Sequence, residues 1–396
     1  MSGEADGLHV IGGRGGIEVA VDDLRRAARG MRSTAATVES SVPNSLGPMP
    51  WGLPQITGAL ASLLARVIRE NDETRRGAGV EVAQLRDLAS ATDRAAAGYA
   101  ATEETARGMA AGLHDQAMAI AALITAATGP FGLLDEGEVW DVSVSTSLPP
   151  DCLPRPTSTD GLLAGIQSLG KAGSEGGVRV TEVLTADGST TWVVQIPGTH
   201  GGWTEGGEVP MDWPANVTLM LGEVSASKVA VDRALELAQA GREGPHDRVV
   251  LSGHSQGGII AASLASDPEF TRRHHVSHVL TAGSPIDDFP IPDRTEVLSL
   301  QHRTDPVHAL DVSPPPDRAH WTTVEAAAPI DLPGHLTLGA HTLTAYRATA
   351  QKVDRSDDVS LRQWRAGLVP ALAPAAGSTP VVHEYRSRRR WQNRAS

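Results

Sequence analysis

The chain has 396 residues, 40% of them apolar, enough for one large core or two to three smaller ones. A formal charge of −13 argues against nucleic acid as the main partner, because neutralising phosphates requires a basic face. Cys152 is the single cysteine, which excludes an intrachain disulfide and a cysteine-built zinc site, so the thiol reads as structural or inert.

The opening stretch MSGEADGLHVIGGRGG has no positively charged segment ahead of an apolar run. A cleaved secretory signal is therefore not expected, which leaves a cytoplasmic protein or one exported without such a signal. The positions Val21, Leu24, Ala28, Met31, Ala35 and Val38 alternate spacings of three and four, a heptad seam. Pro43 and LGPMPWGLP (46–54) break that helix. A second helix fits 56–70. A third, longer one fits 80–127, with Leu85, Leu88, Thr92, Ala95, Tyr99, Thr102 and Ala106 along its seam. Residues 16–128 thus read as an antiparallel bundle or hairpin within an all-α region, 1–130. The uncharged run 117–134 is alanine-rich and interrupted by Gly129-Pro130, so a buried helix end is expected there rather than a membrane span.

A linker is expected at 131–153, continuing to Thr159 through the Pro-, Ser- and Thr-rich DVSVSTSLPPDCLPRPTST (141–159). Ser158, Thr159 and Asp160 can cap a following helix, LLAGIQSLG. The region 154–352 then alternates strands and helices. VRVTEVL (178–184) and TWVVQI (191–196) read as a hairpin across the Ala186-Asp187-Gly188 turn. Helices fit 224–239, 257–265 and 341–353, and strands fit 248–251, 276–282, 295–301 and 321–325. That order implies an α/β fold with a mostly parallel sheet. The remainder, 353–396, ends in HEYRSRRRWQNRAS and reads as a flexible basic tail.

Chemistry concentrates on VVLSGHSQGGII (249–260). Strand 248–251 runs into Gly253-His254-Ser255-Gln256-Gly257, and a helix leaves at once. A nucleophile elbow needs that geometry, with small residues where the turn closes on itself. Ser255 is the expected nucleophile. Its base and orienting acid should follow in the order Ser, Asp, His. The acid should stand beyond a later strand's carboxyl end, where HRTDPV offers Asp305. Asp287 and Asp288 follow an earlier strand, and Asp311 is less well placed. For the base, His341 at a loop-to-helix junction is preferred to His335. His320 enters its strand at the wrong end. His274, His275 and His278 read as structural, and no metal or organic cofactor is expected. Oxyanion donors are expected from the Gln256 backbone N–H and from IPGTHGGW (196–203), with Thr199 as the candidate there.

Two resemblances follow from these residues. The heptad helix, the Trp51-Gly52 turn and the long helix carrying Tyr99 and Glu103 resemble the helical modules of WXG100/ESX type VII secretion proteins, whose own turn reads W-x-G. That implies a self-association or secretion-machinery partner. The segments VVQIPGTHGGW, MDWPANVTLMLG, VVLSGHSQGG, VLTAGSPID, HRTDPV and HTLTAYRATA resemble lipase/esterase α/β-hydrolases, most of all large actinobacterial ones with a GHSQGG elbow. The low lysine content (Lys171, Lys228 and Lys352) suits that source. This resemblance implies a serine esterase acting on an ester or lipid, with Ser255, Asp305 and His341 as triad and Thr199 and Gln256 at the oxyanion hole. Pro197 stands where such lipases usually carry arginine. The tryptophans of WGLP, GGW and MDWP are candidates to line an acyl pocket, although a core position is the commoner fate of tryptophan.

Overall fold

The computed structural model describes residues 7–41, 62, 66–70, 72–97, 136–147, 153–169, 177–199, 208–220, 222–242, 244, 246–311, 313–328 and 339–390. Two compact units emerge, one of Ile17–Ala106 and one of the remainder.

The smaller unit pairs α1 (Ile17–Ser41) with α2 (72–97). Arg32 bonds Asp93 and Arg86 bonds Glu39, so the two helices run antiparallel. Val21, Ala28 and Ala35 are buried on α1 at heptad spacing, as its seam predicts. The α2 seam differs from expectation. Val82, Ala89 and Ala96 are buried, whereas Leu88 is 53% exposed and Ala95 faces outward. Facing alanines let the backbones approach closely, which the bulkier Leu88 would prevent. The middle helix expected at 56–70 is described only at 62 and 66–70, all helical and exposed, and the continuation past Ala97 lies outside the described residues.

The larger unit is built on a nine-stranded sheet of order β1-β8-β7-β6-β5-β4-β3-β9-β2. In chain order the strands are β1 (Leu8–Gly12), β2 (Glu138–Ser147), β3 (Val178–Leu184), β4 (Thr190–Ile196), β5 (Arg248–His254), β6 (Val276–Ala282), β7 (Glu296–His302), β8 (Trp321–Ala326) and β9 (Val381–Arg390). Strands β4 to β8 are parallel. They are buried almost throughout because helices cover both faces. On one side lie α4 (Trp213–Met220), α5 (Ala226–Gln239), α6 (Gln256–Ser266) and α7 (Pro268–Arg273). On the other lie α3 (Thr159–Leu169), α8 (Leu343–Val353) and α9 (Val359–Leu372). Val250, Leu251, Leu280 and Leu298 are wholly buried between these layers, each contributing roughly 1.5–3 kcal/mol. Trp192 and Trp321 fill the core, with their indole N–H groups bonded to Asp247 and Thr323.

The β3–β4 hairpin and the parallel strands occur where the sequence places them. Three other expectations are corrected. Residues 1–130 are not all helical, because β1 pairs antiparallel with β8 and buries Leu8. The linker expected at 131–153 contains β2, whose Val139 packs on Ala226 and Ala230. The tail, 353–396, is not flexible over its described part: α9 covers the sheet, and β9 lies between β3 and β2. The charge of β9 is misleading because its inward-facing charges are paired. Glu384 takes Arg179, and Arg389 takes Asp212. Among the described residues no helix is long and apolar enough to cross a membrane, and 117–134 lies outside them. Cys152 also lies outside them.

Candidate active site

Strand β5 ends at His254 and α6 begins at Gln256, leaving Ser255 alone on the turn. Its backbone takes φ 54° and ψ −124°, and it is the one non-glycine residue with positive φ among the described residues. Such a conformation costs about 1–3 kcal/mol and persists only where its surroundings impose it. Here the Ser255 N–H donates to Ala282 O at 3.0 Å. Its carbonyl accepts from the Gly258 N–H at 3.0 Å and from the Ser284 hydroxyl at 2.8 Å. The flanking glycines are steric necessities. A Cβ on Gly253 would stand 2.1 Å from the Gly257 carbonyl carbon, and one on Gly257 would stand 2.3 Å from Ile196 O.

Asp305 lies on the turn after β7 and His341 just before α8. The structure brings both to Ser255. His341 Nδ1 lies 2.7 Å from Asp305 Oδ2, and Nε2 lies 3.0 Å from Ser255 Oγ. An ionised carboxylate can only accept, so Nδ1 carries the proton and Nε2 is free to take the Ser255 hydroxyl proton. Asp305 is 1% exposed. Burial pushes its carboxyl up, but hydrogen bonds from His341, the Tyr346 hydroxyl (2.7 Å) and the Val307 N–H (2.9 Å) more than offset this and hold it below its ordinary value.

Two further histidines hold the loop that carries His341. The Nε2–H of His254 donates to His341 O at 2.7 Å, and the His302 Nδ1–H donates to Ala340 O at 2.7 Å. His302 also stacks flat on Tyr346, with ring centroids 3.9 Å apart. Burial, reinforced by neighbouring His341, lowers His254 to about 4 and keeps its ring neutral. His254, His302 and Tyr346 were not recognised from sequence as site residues. Tyr346 is visible there only as a core position of α8.

The runner-up carboxylates are occupied elsewhere. Asp287 accepts from the Gln301 side chain at 2.9 Å, its own N–H donates to Asp311, and Asp288 is exposed. Burial, then the adjacent Asp311, raises the Asp287 carboxyl well above its ordinary value. His335 lies outside the described residues. At the other end of the sheet, His274 packs on Phe270 and His278 sits edge-on to Trp364.

On the oxyanion side, Gln256 occupies the first turn of α6, where backbone N–H groups have no intrahelical acceptor. The loop after β4 packs onto the elbow, so that a Cβ on Gly198 would come within 3.3 Å of the Ser255 side chain. Thr199 Oγ1 accepts from Asn216 Nδ2 at 3.1 Å, which leaves its own proton to donate. Trp51 and Trp203 lie outside the described residues, and Trp213 begins α4.

Residues 215–326 match a family described as the PGAP1-like alpha/beta domain, which is of α/β-hydrolase type. The fold is that of an α/β-hydrolase. The matched span runs from α4 to the end of β8 of this hydrolase fold. It includes Ser255, Gln256 and Asp305 and stops before His341. No curated protein and no solved structure matches the chain.

Proposed function

We propose that the chain is a serine hydrolase that cleaves carboxylic esters through an acyl-enzyme. The observation that carries this reading is the continuous hydrogen-bond path from Ser255 through His341 to Asp305 on a strained strand-to-helix turn. Ser255 Oγ attacks the ester carbonyl carbon while its proton passes to His341 Nε2. The resulting oxyanion is met by the Gln256 N–H and by Thr199. Collapse breaks the C–O bond, and Nε2 returns the proton to the departing alkoxide. A water molecule, deprotonated by Nε2, then attacks the acyl carbon; collapse breaks the C–Oγ bond, and Nε2 returns the proton to Ser255 Oγ as the carboxylic acid leaves. Asp305 stays ionised throughout and stabilises the imidazolium. No metal or organic cofactor is needed for these steps.

A fluorophosphonate probe tests the reading. Labelling of the wild type that disappears in Ser255→Ala is expected. A wild type left unlabelled beside a labelled control esterase, or equal labelling of Ser255→Ala, overturns it.

The helical hairpin favours an additional role. It forms a compact unit of its own, Ile17–Ala106, that ester hydrolysis does not require. We propose it as a docking surface for a second copy of the chain or for an export apparatus. Crosslinking of the purified full chain tests the first partner, and co-purification with secretion components tests the second.

A further inference from the structure

Arg389 and Asp212 form a buried ion pair that the triad does not use. The Arg389 side chain is fully shielded from solvent and that of Asp212 is 2% exposed. Both Asp212 oxygens face the guanidinium, and the Arg389 N–H donates to Glu208 O at 2.8 Å. An arginine–carboxylate pair held by two oxygens fixes orientation as well as position. Removing one partner would leave the other charge buried and uncompensated.

Asp212 has two further attachments, and both lead toward the reaction centre. Its backbone carbonyl accepts from Gln256 Nε2 at 2.7 Å. Its Oδ1 accepts from the Ala215 N–H at 3.2 Å, capping the first turn of α4. One residue further along α4, Asn216 holds Thr199. The two candidate oxyanion donors stand on separate segments, Thr199 after β4 and Gln256 after β5. The 212–216 segment spans them, and among the described residues Arg389 is the charged side chain that ties this segment to a strand outside the site. Gln256 is 1% exposed and Asn216 6%, so neither has room to adopt a second arrangement in water.

We infer that Arg389 is a positioning residue of the oxyanion hole, setting the spacing between Thr199 and the Gln256 amide through Asp212. The inference rests on the ester-hydrolase reading. It assigns a role in catalysis to the final described strand, which otherwise joins β3 to β2 within the sheet.

The test uses the full chain carrying Arg389→Lys, which keeps the charge but not the two-oxygen geometry, and Arg389→Ala. Circular dichroism first establishes that each variant is folded. For a p-nitrophenyl ester, kcat of the folded Arg389→Lys protein is expected to fall roughly ten- to a hundredfold with KM within about twofold, since donors shifted by a fraction of an ångström lose transition-state rather than substrate binding. The acid limb of its pH profile should not move, because the His341–Asp305 pair is untouched. Methylguanidinium should restore part of the activity of Arg389→Ala. Backbone amide exchange should quicken in 212–220 and 255–259 but not in β6 and β7. A folded Arg389→Lys protein with wild-type kcat, or with unchanged exchange in those two segments, overturns the inference. If the wild type neither turns over esters nor reacts with the fluorophosphonate, the hydrolase reading fails by itself, and the exchange measurement still decides whether Arg389 holds the 212–216 segment.

Discussion

Replacing Asp305 by asparagine exchanges one carboxylate oxygen for an amide NH2 in a side chain whose every contact is an incoming donor. Oδ2 accepts from His341 Nδ1–H and from the Tyr346 hydroxyl, each at 2.7 Å, and Oδ1 accepts from the Val307 N–H at 2.9 Å. The asparagine has two ways to sit. With its oxygen toward His341, its NH2 opposes the Val307 N–H, and a buried donor without an acceptor costs about 1–3 kcal/mol. With its oxygen toward Val307, the NH2 donates to His341 Nδ1, and Tyr346 can turn its hydroxyl to accept. The second arrangement avoids the clash but moves the imidazole proton to Nε2, where it faces Ser255 Oγ and can no longer accept. Loss of the correct tautomer reduces kcat by about ten-thousandfold in triads of this geometry, equivalent to about 5.4 kcal/mol at 1.36 kcal/mol per tenfold. Initial rates on a p-nitrophenyl ester, with folding checked by circular dichroism, measure it. A folded Asp305→Asn protein within about tenfold of wild type would show that Asp305 does not set the tautomer, and the triad assignment would fall.

Two further outcomes are expected. Tyr346→Phe removes the hydroxyl that donates to Asp305 Oδ2 at 2.7 Å and accepts from the His302 N–H at 3.2 Å. A hydrogen bond to a charged group contributes roughly 1.5–3 kcal/mol, so kcat of the folded variant on a p-nitrophenyl ester should fall by about tenfold or more, and a wild-type kcat would contradict the role given to Tyr346. His278 is 7% exposed, its Nε2 is buried with no hydrogen-bond partner, and burial, then nearby Arg248, lowers it from 6.5 to about 4. The unfolded chain therefore takes up a proton below about pH 6.5 that the folded chain refuses until about pH 4, so stability is lost as pH falls across that window. By pH 5 the loss is about 2 kcal/mol relative to pH 7.5. Urea unfolding at both pH values should show this extra loss in wild type but not in His278→Leu, and parallel pH dependences would refute it.

The elbow is legible because the sequence changes period there: the β-branched Val249 and Val250 lead into glycine, serine, glycine and then an apolar helix. Asp305 and His341 follow from strand order, since parallel strands present their carboxyl ends to one edge. Nothing local marks Arg389 or Glu384. Their partners lie 177 and 205 residues away, and side chains that neutralise each other inside the fold look from sequence like a solvated tail. Tyr346 was hidden for a related reason, because its ring is core while its hydroxyl belongs to the site. The α2 seam departs from the expected one because Ala89 permits a closer helix approach than the larger Leu88 does.

The position of β9 sets an order of assembly. β2 is made early, yet among the described residues its one sheet partner is β9, more than two hundred positions later. A growing chain therefore carries β2, and the outer edge of β3, as open strand edges until Val381–Arg390 has left the ribosome. Such edges recruit other chains while they wait. A chain that stops short of Val381 would still possess Ser255, Asp305 and His341, but with two strands exposed and the Asp212 carboxylate buried without its counter-ion. Its expected fate is aggregation rather than reduced turnover.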